Sequence, residues 1–261
     1  MAISLLSAMP CARLIPNVIS LSSAISACEK ATKWQMALHI LSHMFNASSC
    51  LLPNKITYNA AISACQKAGR WQVALSLLSD MLEVRLTPNR ISLNAAISAC
   101  EQTGRFQIAL DLLLGIMPSL RVIPDVISYN AAISACPKGS NWQVALSLLA
   151  DLITDKTELT PDEISFSAAM GACSRAGEWQ LALCLLSMMP PARAVPNAIS
   201  FNAAMSAGGE RGFQWQLVLQ LLSTMPRMQM AWNLAHCETW QADGPSTFDK
   251  ASSSCNCVFD Q

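Results

Sequence analysis

Glycine is scarce in this chain, with 10 residues in 261, whereas an average protein has about 7%. A sheet protein rich in tight turns and a glycine-rich nucleotide loop are therefore both poorly supported. Charge is scarce too, since Asp, Glu, Lys and Arg make up 13% of the residues and 17 cations balance 17 anions. Zero net charge disfavours a strongly electrostatic binder of nucleic acid. The 52% of hydrophobic residues predicts a folded chain.

The chain also has no long apolar run free of polar residues. The longest stretch without Lys, Arg, Asp or Glu extends from Trp34 to Asn54, and its histidines, serines and Pro53 disfavour a transmembrane helix. The N-terminus has neither a secretory signal pattern nor an import leader pattern. No nucleophile elbow, P-loop, dinucleotide or metalloprotease motif occurs. We therefore expect no enzyme activity, metal, cofactor, membrane or small-molecule substrate.

Repetition is the feature that the chain does have. Proline followed by Asn or Asp recurs at steps of 35 to 37 residues, at Pro16, Pro53, Pro88, Pro124, Pro161 and Pro196. The period predicts a partial repeat at 1–17 and a non-repeat tail at 226–261 that we expect to be poorly ordered. Between them it predicts six repeats, at 18–54, 55–89, 90–125, 126–162, 163–197 and 198–225.

Each repeat has the pattern of two short helices. Asn or Asp after the proline, with Ser or Thr three positions later, is typical of a helix start, and Gly69 or Gly104 marks the end of the first helix. The second helix begins at an aromatic residue such as Trp71 and carries an apolar stripe, so these Trp side chains are predicted to be core. We place the additional residues of the longer repeats in the turn before the proline. Such hairpins bury their apolar faces only by stacking, which predicts an all-α, right-handed α-solenoid.

The first helix has two faces that differ in character. A helical step of about 100° places Tyr58, Ala61, Ile62 and Cys65 on a core stripe, with cysteine as a small apolar filler. A second stripe lies roughly 150° away and begins at Ile56. Its other members are Asn59, Ser63 and Lys67, and equivalent residues occur in the other repeats.

Two interpretations of the second stripe follow from the residues alone. Ile could pack on a base, Asn or Ser could bond the edge of that base, and a cation could hold a phosphate. Alternatively, Asn and Ser cap or solvate the first turn and the cations stabilise the helix C-terminus. The residue pattern leaves both interpretations open.

The repeats resemble the pentatricopeptide repeat family, P type, over roughly residues 1 to 225. The resemblance rests on the period near 35 and the Pro-Asn or Pro-Asp ending, and on residues Tyr58-Asn59, Lys67 to Arg70, Ala74-Leu75 and Met81. It implies single-stranded RNA as the partner, with one base per repeat. It also implies residence in a chloroplast or mitochondrion and a role in RNA processing, stability, editing or translation, with protein partners that supply any catalysis.

The resemblance also implies which residues form the site. Bases would be sandwiched by one Ile per repeat, namely Ile19, Ile56, Ile91, Ile127, Ile164 and Ile199. Bases would be read by the pairs Ser22 with Asn54, Asn59 with Asn89, Asn94 with Asp125, Asn130 with Asp162, and Ser167 with Asn197, and by Asn202, whose partner is unidentified. Phosphates would be held by Lys30, Lys67, Lys138 and Arg175, with Gln102 as a weaker substitute.

In the family's code these pairs would read 5′-A-C-U-U-A. Ser with Asn favours A, Asn with Asn favours C over U, and Asn with Asp favours U. A protein-binding scaffold of the same architecture, with a peptide in the groove, is the alternative function.

Overall fold

A computed structural model describes residues 17–46, 51–136, 141–154 and 159–209. All regular secondary structure in these ranges is helical, which confirms the all-α prediction. The first helices of the repeats are α1 (Val18–Lys30), α3 (Lys55–Lys67), α5 (Arg90–Thr103), α8 (Val126–Ala135), α10 (Glu163–Ala176) and α12 (Ala198–Gly209). The second helices are α2 (Trp34–Asn46), α4 (Trp71–Glu83), α6 (Phe106–Leu110) with its continuation α7 (Met117–Ser119), α9 (Trp142–Ile153) and α11 (Trp179–Met188). The predicted partial repeat up to residue 16 and the predicted tail lie outside the described residues.

The first helices begin as the sequence pattern predicts. The Asn54 Oδ1 atom accepts a hydrogen bond from the Thr57 backbone N–H at 2.9 Å, and the Asn54 N–H donates to the Thr57 hydroxyl at 3.3 Å. This reciprocal arrangement satisfies two backbone donors at the start of the helix. The same capping box occurs at Asn17, Asn89, Asp125 and Asp162.

Three of the first helices, α3, α5 and α10, are followed by a left-handed glycine. Gly69, Gly104 and Gly177 have φ values of 64°, 65° and 77°. Glycine adopts this conformation without the Cβ clash that other residues experience. The left-handed glycine therefore explains why the first helix ends where the sequence predicts a turn.

The chain divides into two compact units, Met1–Pro124 and Asp125–Gln261. Within the first unit, α1, α3 and α5 pack side by side, and α2 and α4 each contact the first helix of their own repeat and of the next. Within the second unit, α8, α10 and α12 pack in the same way, with α9 and α11 between them on the other layer. Each unit is thus a stack of hairpins, as the solenoid prediction requires.

The core stripe lies where the sequence places it. Tyr58, Ala61, Ile62 and Cys65 of α3 have no exposed surface. The cysteines of the core stripe are buried and form no disulfide in five repeats, at Cys28, Cys65, Cys100, Cys136 and Cys173. Burial raises the pKa of the Cys65 and Cys100 thiols to about 11. These side chains therefore act as neutral apolar fillers.

The tryptophans of the second helices differ from the prediction. Trp34, Trp71, Trp142 and Trp179 are only partly buried. Each is the first residue of its helix. The sequence pattern correctly placed them at the helix start but overestimated their burial.

The third repeat accommodates its additional residue in a different place from the one predicted. Its second helix contains a π-helical segment, Asp111–Ile116, between α6 and α7. The left-handed residue after the second helix stands three positions before proline both at Arg85 and at Arg121. The turn therefore keeps its length, and the wider π turn absorbs the residue within the helix.

Candidate functional site

One isoleucine of every described first helix is exposed to solvent. Ile19, Ile56, Ile91, Ile127, Ile164 and Ile199 have exposed fractions of 73%, 65%, 61%, 62%, 60% and 64%. Each stands two positions after the capping residue of its helix. The isoleucine of the second stripe therefore lies outside the core, and it offers an apolar side chain at the same place in each described repeat.

The residues predicted to close each reading pair are also the helix caps. Their side-chain Oδ1 atoms already accept hydrogen bonds from the next first helix, as at Asn89, where Ser92 N–H donates at 3.0 Å. Asn197 accepts from the Ser200 N–H at 3.0 Å in the same way. Capping thus fixes one side of each closing side chain. The cap of each first helix and the predicted second reader of the preceding repeat are thus the same residue.

The second repeat brings its predicted pair into contact. The Asn59 Nδ2 atom donates to Asn89 Oδ1 at 3.3 Å. The Oδ1 atom of Asn59 is buried and has no hydrogen-bond partner. With Oδ1 of Asn89 occupied, its Nδ2 group remains as the donor of this pair.

The fourth repeat forms a tighter network around its predicted pair. Asn130 Nδ2 donates to Asp162 Oδ1 at 3.0 Å, and the Ser165 hydroxyl donates to Asn130 Oδ1 at 2.6 Å. Asn130 is 8% exposed, so both of its polar ends are used within the protein. Burial by itself would raise the pKa of the Asp162 carboxyl, but hydrogen bonds from Ser165, Asn130 and the Ile164 backbone together lower it.

The other predicted readers are placed individually. Ser22 and Ser167 donate to carbonyls of their own helices, at Ile19 (2.9 Å) and Ile164 (3.1 Å). Asn54 is the capping residue of α3 and is partly exposed. Asn94 is half-buried in α5, Asp125 is the capping residue of α8, and Asn202 is exposed in α12.

The predicted phosphate-binding cations have partners that the sequence did not reveal. Lys67 forms an ion pair with Glu29 of the preceding repeat, with 2.9 Å between Nζ and Oε1. The Arg175 guanidinium donates to the Cys136 carbonyl at 3.4 Å. Lys30 is exposed at the end of α1, Gln102 is exposed near the end of α5, and Lys138 lies outside the described residues. Lys67 and Glu29 are 38 positions apart in the chain, so only stacking of the repeats brings them together.

Two further arginines join neighbouring repeats of the first unit. The Arg70 guanidinium lies over the Trp34 ring at 5.2 Å from its centre, and Arg105 lies over Trp71 at 5.5 Å. Such cation–π contacts stabilise stacking of one hairpin on the next. The part of the chain that the structure describes contains no cluster of three or more potential metal ligands. Its helices are all too short or too polar to cross a membrane.

Comparison with family models identifies the repeats. Residues 53–102 match the model described as PPR repeat family, and residues 164–190 match the model described as PPR repeat. The chain is a pentatricopeptide repeat protein. No curated protein matches its sequence significantly.

Solved structures show that this pentatricopeptide repeat protein has the solenoid fold of the family. The crystal structure of the pentatricopeptide repeat protein PPR10 from maize is 21% identical, with a TM-score of 0.66 over 94% of this chain and 36% of that chain. PPR10 in complex with an 18-nt psaJ RNA element is 18% identical, with a TM-score of 0.51 over 99% of this chain and 41% of the other.

A second relative is the PPR domain of Arabidopsis thaliana protein-only RNase P 1 in complex with tRNA. It is 14% identical, with a TM-score of 0.53 over 77% of this chain and 98% of that one. The present chain spans little more than a third of the length of maize PPR10.

Proposed function

We propose that this protein binds single-stranded RNA with a preference for sequence, one base per repeat, and without catalysing a reaction itself. The observation that carries the proposal is the exposed isoleucine of each first helix, which stands beside a hydrogen-bonded polar pair in the second and fourth repeats. Structural relatives determined with an RNA element and with tRNA support RNA as the ligand. Repeat proteins of this kind read one base with two or three side chains.

The isoleucines supply the apolar part of the binding energy. A base that covers an Ile side chain removes apolar surface from water, which is worth about 25 cal/mol per Å². Side chains on both sides of a base hold it in place without selecting it, because every base has an apolar face. Affinity and sequence preference therefore reside in different residues of the same repeat.

The polar pairs supply the preference through their donors and acceptors. Asn89 has its Oδ1 occupied and offers an N–H donor, which suits the acceptor N3 of cytosine. Asp162 has no donor at all, and its low pKa keeps it an acceptor for the N3–H of uracil. In the fourth repeat, Asn130 and Ser165 orient this carboxylate. The hydrogen-bond chemistry thus agrees with C at the second position and U at the fourth position of 5′-A-C-U-U-A.

The cellular role extends from this binding activity. We propose that the protein acts on organellar RNA, in a chloroplast or mitochondrion, and that protein partners carry out processing, editing or translation steps. Base contacts of this kind are worth about 1 to 3 kcal/mol each. Five or six repeats therefore select a short RNA segment with modest affinity.

The test is binding of fluorescent RNA to the full chain at low salt. An oligonucleotide with ACUUA should bind more tightly than one with the same bases scrambled. Asp162→Asn should shift the preference at the fourth base from U toward C, and Asp125→Asn should do the same at the third base. Equal affinity for ACUUA and scrambled RNA would refute the code, and the absence of RNA binding would favour the protein-binding scaffold.

A further inference from the structure

Three arginines adopt a backbone conformation that favours glycine. Arg85, Arg121 and Arg193 have φ values of 58°, 56° and 60°. Each follows the last turn of a second helix, and each stands four positions before the residue that caps the next first helix. The backbone around them closes the helix with a six-to-one hydrogen bond, as in Leu86 N–H to the Met81 carbonyl at 2.7 Å.

The chain uses glycine for the same conformation elsewhere. The turns after the first helices carry Gly69, Gly104 and Gly177 at similar φ values. A side chain with a Cβ atom in this region is strained, whereas glycine is not. The turns after the second helices therefore keep arginine at a cost to stability. A cost that recurs in three turns points to a use for the side chain.

No contact among the described residues accounts for that use. All three arginines are exposed, and among the described residues their guanidinium groups form no hydrogen bond, ion pair or ring contact. A cation near a helix C-terminus gains from the helix dipole. That gain is available at unstrained positions of the last turn, yet the last turn of α4 contains no basic residue. The three side chains are thus exposed to solvent and have no partner in the part of the chain that the structure describes.

Their position separates them from the cations at Lys67 and Arg175. The arginines lie at the edge of the hairpins where first helices begin, whereas Lys67 stands at the end of α3. A helix of 13 residues is about 20 Å long. A phosphate near Lys67 is therefore out of reach of Arg85. An anion bound by the arginines would therefore lie on the side of the bases opposite to Lys67.

We propose that the turns of Arg85 and Arg121 in the first unit form a second phosphate-binding row, which engages RNA that flanks the bases being read. The inference rests on the proposed function. Guanidinium matches phosphate oxygens with two parallel hydrogen bonds, and it keeps its charge at every accessible pH. RNA is favoured over an acidic protein because Arg85 and Asn89 belong to one short turn. An RNA that is read at Asn89 is therefore already at this edge of the hairpins, and the part of its strand beyond the read bases supplies further phosphates. Only RNA longer than the read core can reach both rows.

The experiment compares two RNA lengths on the full chain. The probes are the pentanucleotide ACUUA and a 25-nucleotide RNA with ACUUA at its centre. We expect the double variant Arg85→Gly, Arg121→Gly to bind the long RNA about tenfold less tightly and to bind the short RNA as the wild type does. The slope of log affinity against log salt should fall by about 1.4 for the long RNA, since two phosphate contacts are lost. Arg85→Lys, Arg121→Lys should retain most of the affinity.

Backbone strain is controlled with a residue outside the site. Thr32 has φ 55° and carries no charge, so Thr32→Gly relieves the same strain and should leave both affinities unchanged. The arginine-to-glycine variant should unfold at the same or higher denaturant concentration than the wild type, which excludes misfolding as the cause of weaker binding. An unchanged affinity for the long RNA, or an equal loss for both lengths, would overturn the proposal. A wild type that binds neither RNA would instead refute the proposed function.

Discussion

The ion pair between Lys67 and Glu29 gives the sharpest prediction about the phosphate side of the site. The two side chains are 41% and 25% exposed, and their charged atoms are 2.9 Å apart. In this arrangement a carboxylate stands beside the cation that is predicted to hold a phosphate. We therefore expect Glu29→Gln to strengthen RNA binding, because Lys67 loses a competitor and the phosphate loses a repulsive neighbour.

The magnitude follows from the exposure of the pair. Two unit charges 4 Å apart interact by about 1 kcal/mol in water and by about 4 kcal/mol near a protein surface. Measured pairs with this much solvent access contribute only about 0.2 to 1 kcal/mol. The variant should lose stability within that range. If the loss of the Glu29 charge makes the free energy of RNA binding more favourable by about 0.5 to 1 kcal/mol, RNA affinity increases two- to fivefold.

The assay is fluorescence anisotropy of ACUUA-containing RNA at several salt concentrations. A freed Lys67 should also make the salt dependence steeper, by about 0.7 in log affinity against log salt. Asp111→Asn is the matched control, since it removes one exposed carboxylate from the second-helix layer of the same unit. A gain of equal size in both variants would mean that only net charge matters. Weaker binding by Glu29→Gln would refute the idea that Glu29 competes with phosphate.

Three further predictions concern the exposed stripe, the reading pair and the core. Ile56→Ala should weaken RNA binding about fivefold, a loss of about 1 kcal/mol, and change the free energy of unfolding by less than about 0.5 kcal/mol. The buried control Ile62→Ala should lower the free energy of unfolding by about 2 to 5 kcal/mol. Equal destabilisation by both substitutions would contradict the exposure of Ile56. Because the pKa of Asp162 is lower in the folded state than in the unfolded state, its contribution to stability is present above the unfolded pKa and is lost as pH falls through the folded pKa. The difference in unfolding free energy between the wild type and Asp162→Asn should therefore shrink in acid. A difference that stays constant with pH would contradict the lowered pKa. With a pKa of about 11, the Cys65 thiol should resist maleimide at neutral pH until denaturant is added. Peptide-resolved mass spectrometry measures this labelling, and rapid labelling of Cys65 in the native chain would contradict its burial.

The local rules of the sequence predicted the helical framework well. Asn or Asp followed by Ser or Thr marked each helix start, and the capping boxes at Asn54 and Asp162 are the physical cause. The 3.6-residue period separated the buried Tyr58 from the exposed Ile56 on one helix. These features depend on residues three or four positions apart, and such neighbours are fixed by the helix itself.

The sequence could not place the third repeat's additional residue. One additional residue can be accommodated either in a turn or in a helix. Which arrangement has the lower free energy depends on side-chain packing that exists only in the folded repeat. The structure widens the second helix at Asp111–Ile116 and keeps the turn from Arg121 to Pro124 unchanged. The partial exposure of Trp34 and Trp71 has the same origin, because the neighbouring hairpin decides how much of each ring is covered.

By itself, the sequence determined that this protein is a helical repeat with an apolar and polar stripe outside its core, since periodic patterns encode local geometry and burial. Only the tertiary structure decided which partners those stripe residues have. Stacking brings Glu29 to Lys67, Ser165 to Asn130 and Arg70 to Trp34, and the members of each pair are 35 to 38 positions apart in the chain. Those contacts set the charge and hydrogen-bonding capacity that remain for a ligand, and no pattern within one repeat contains them.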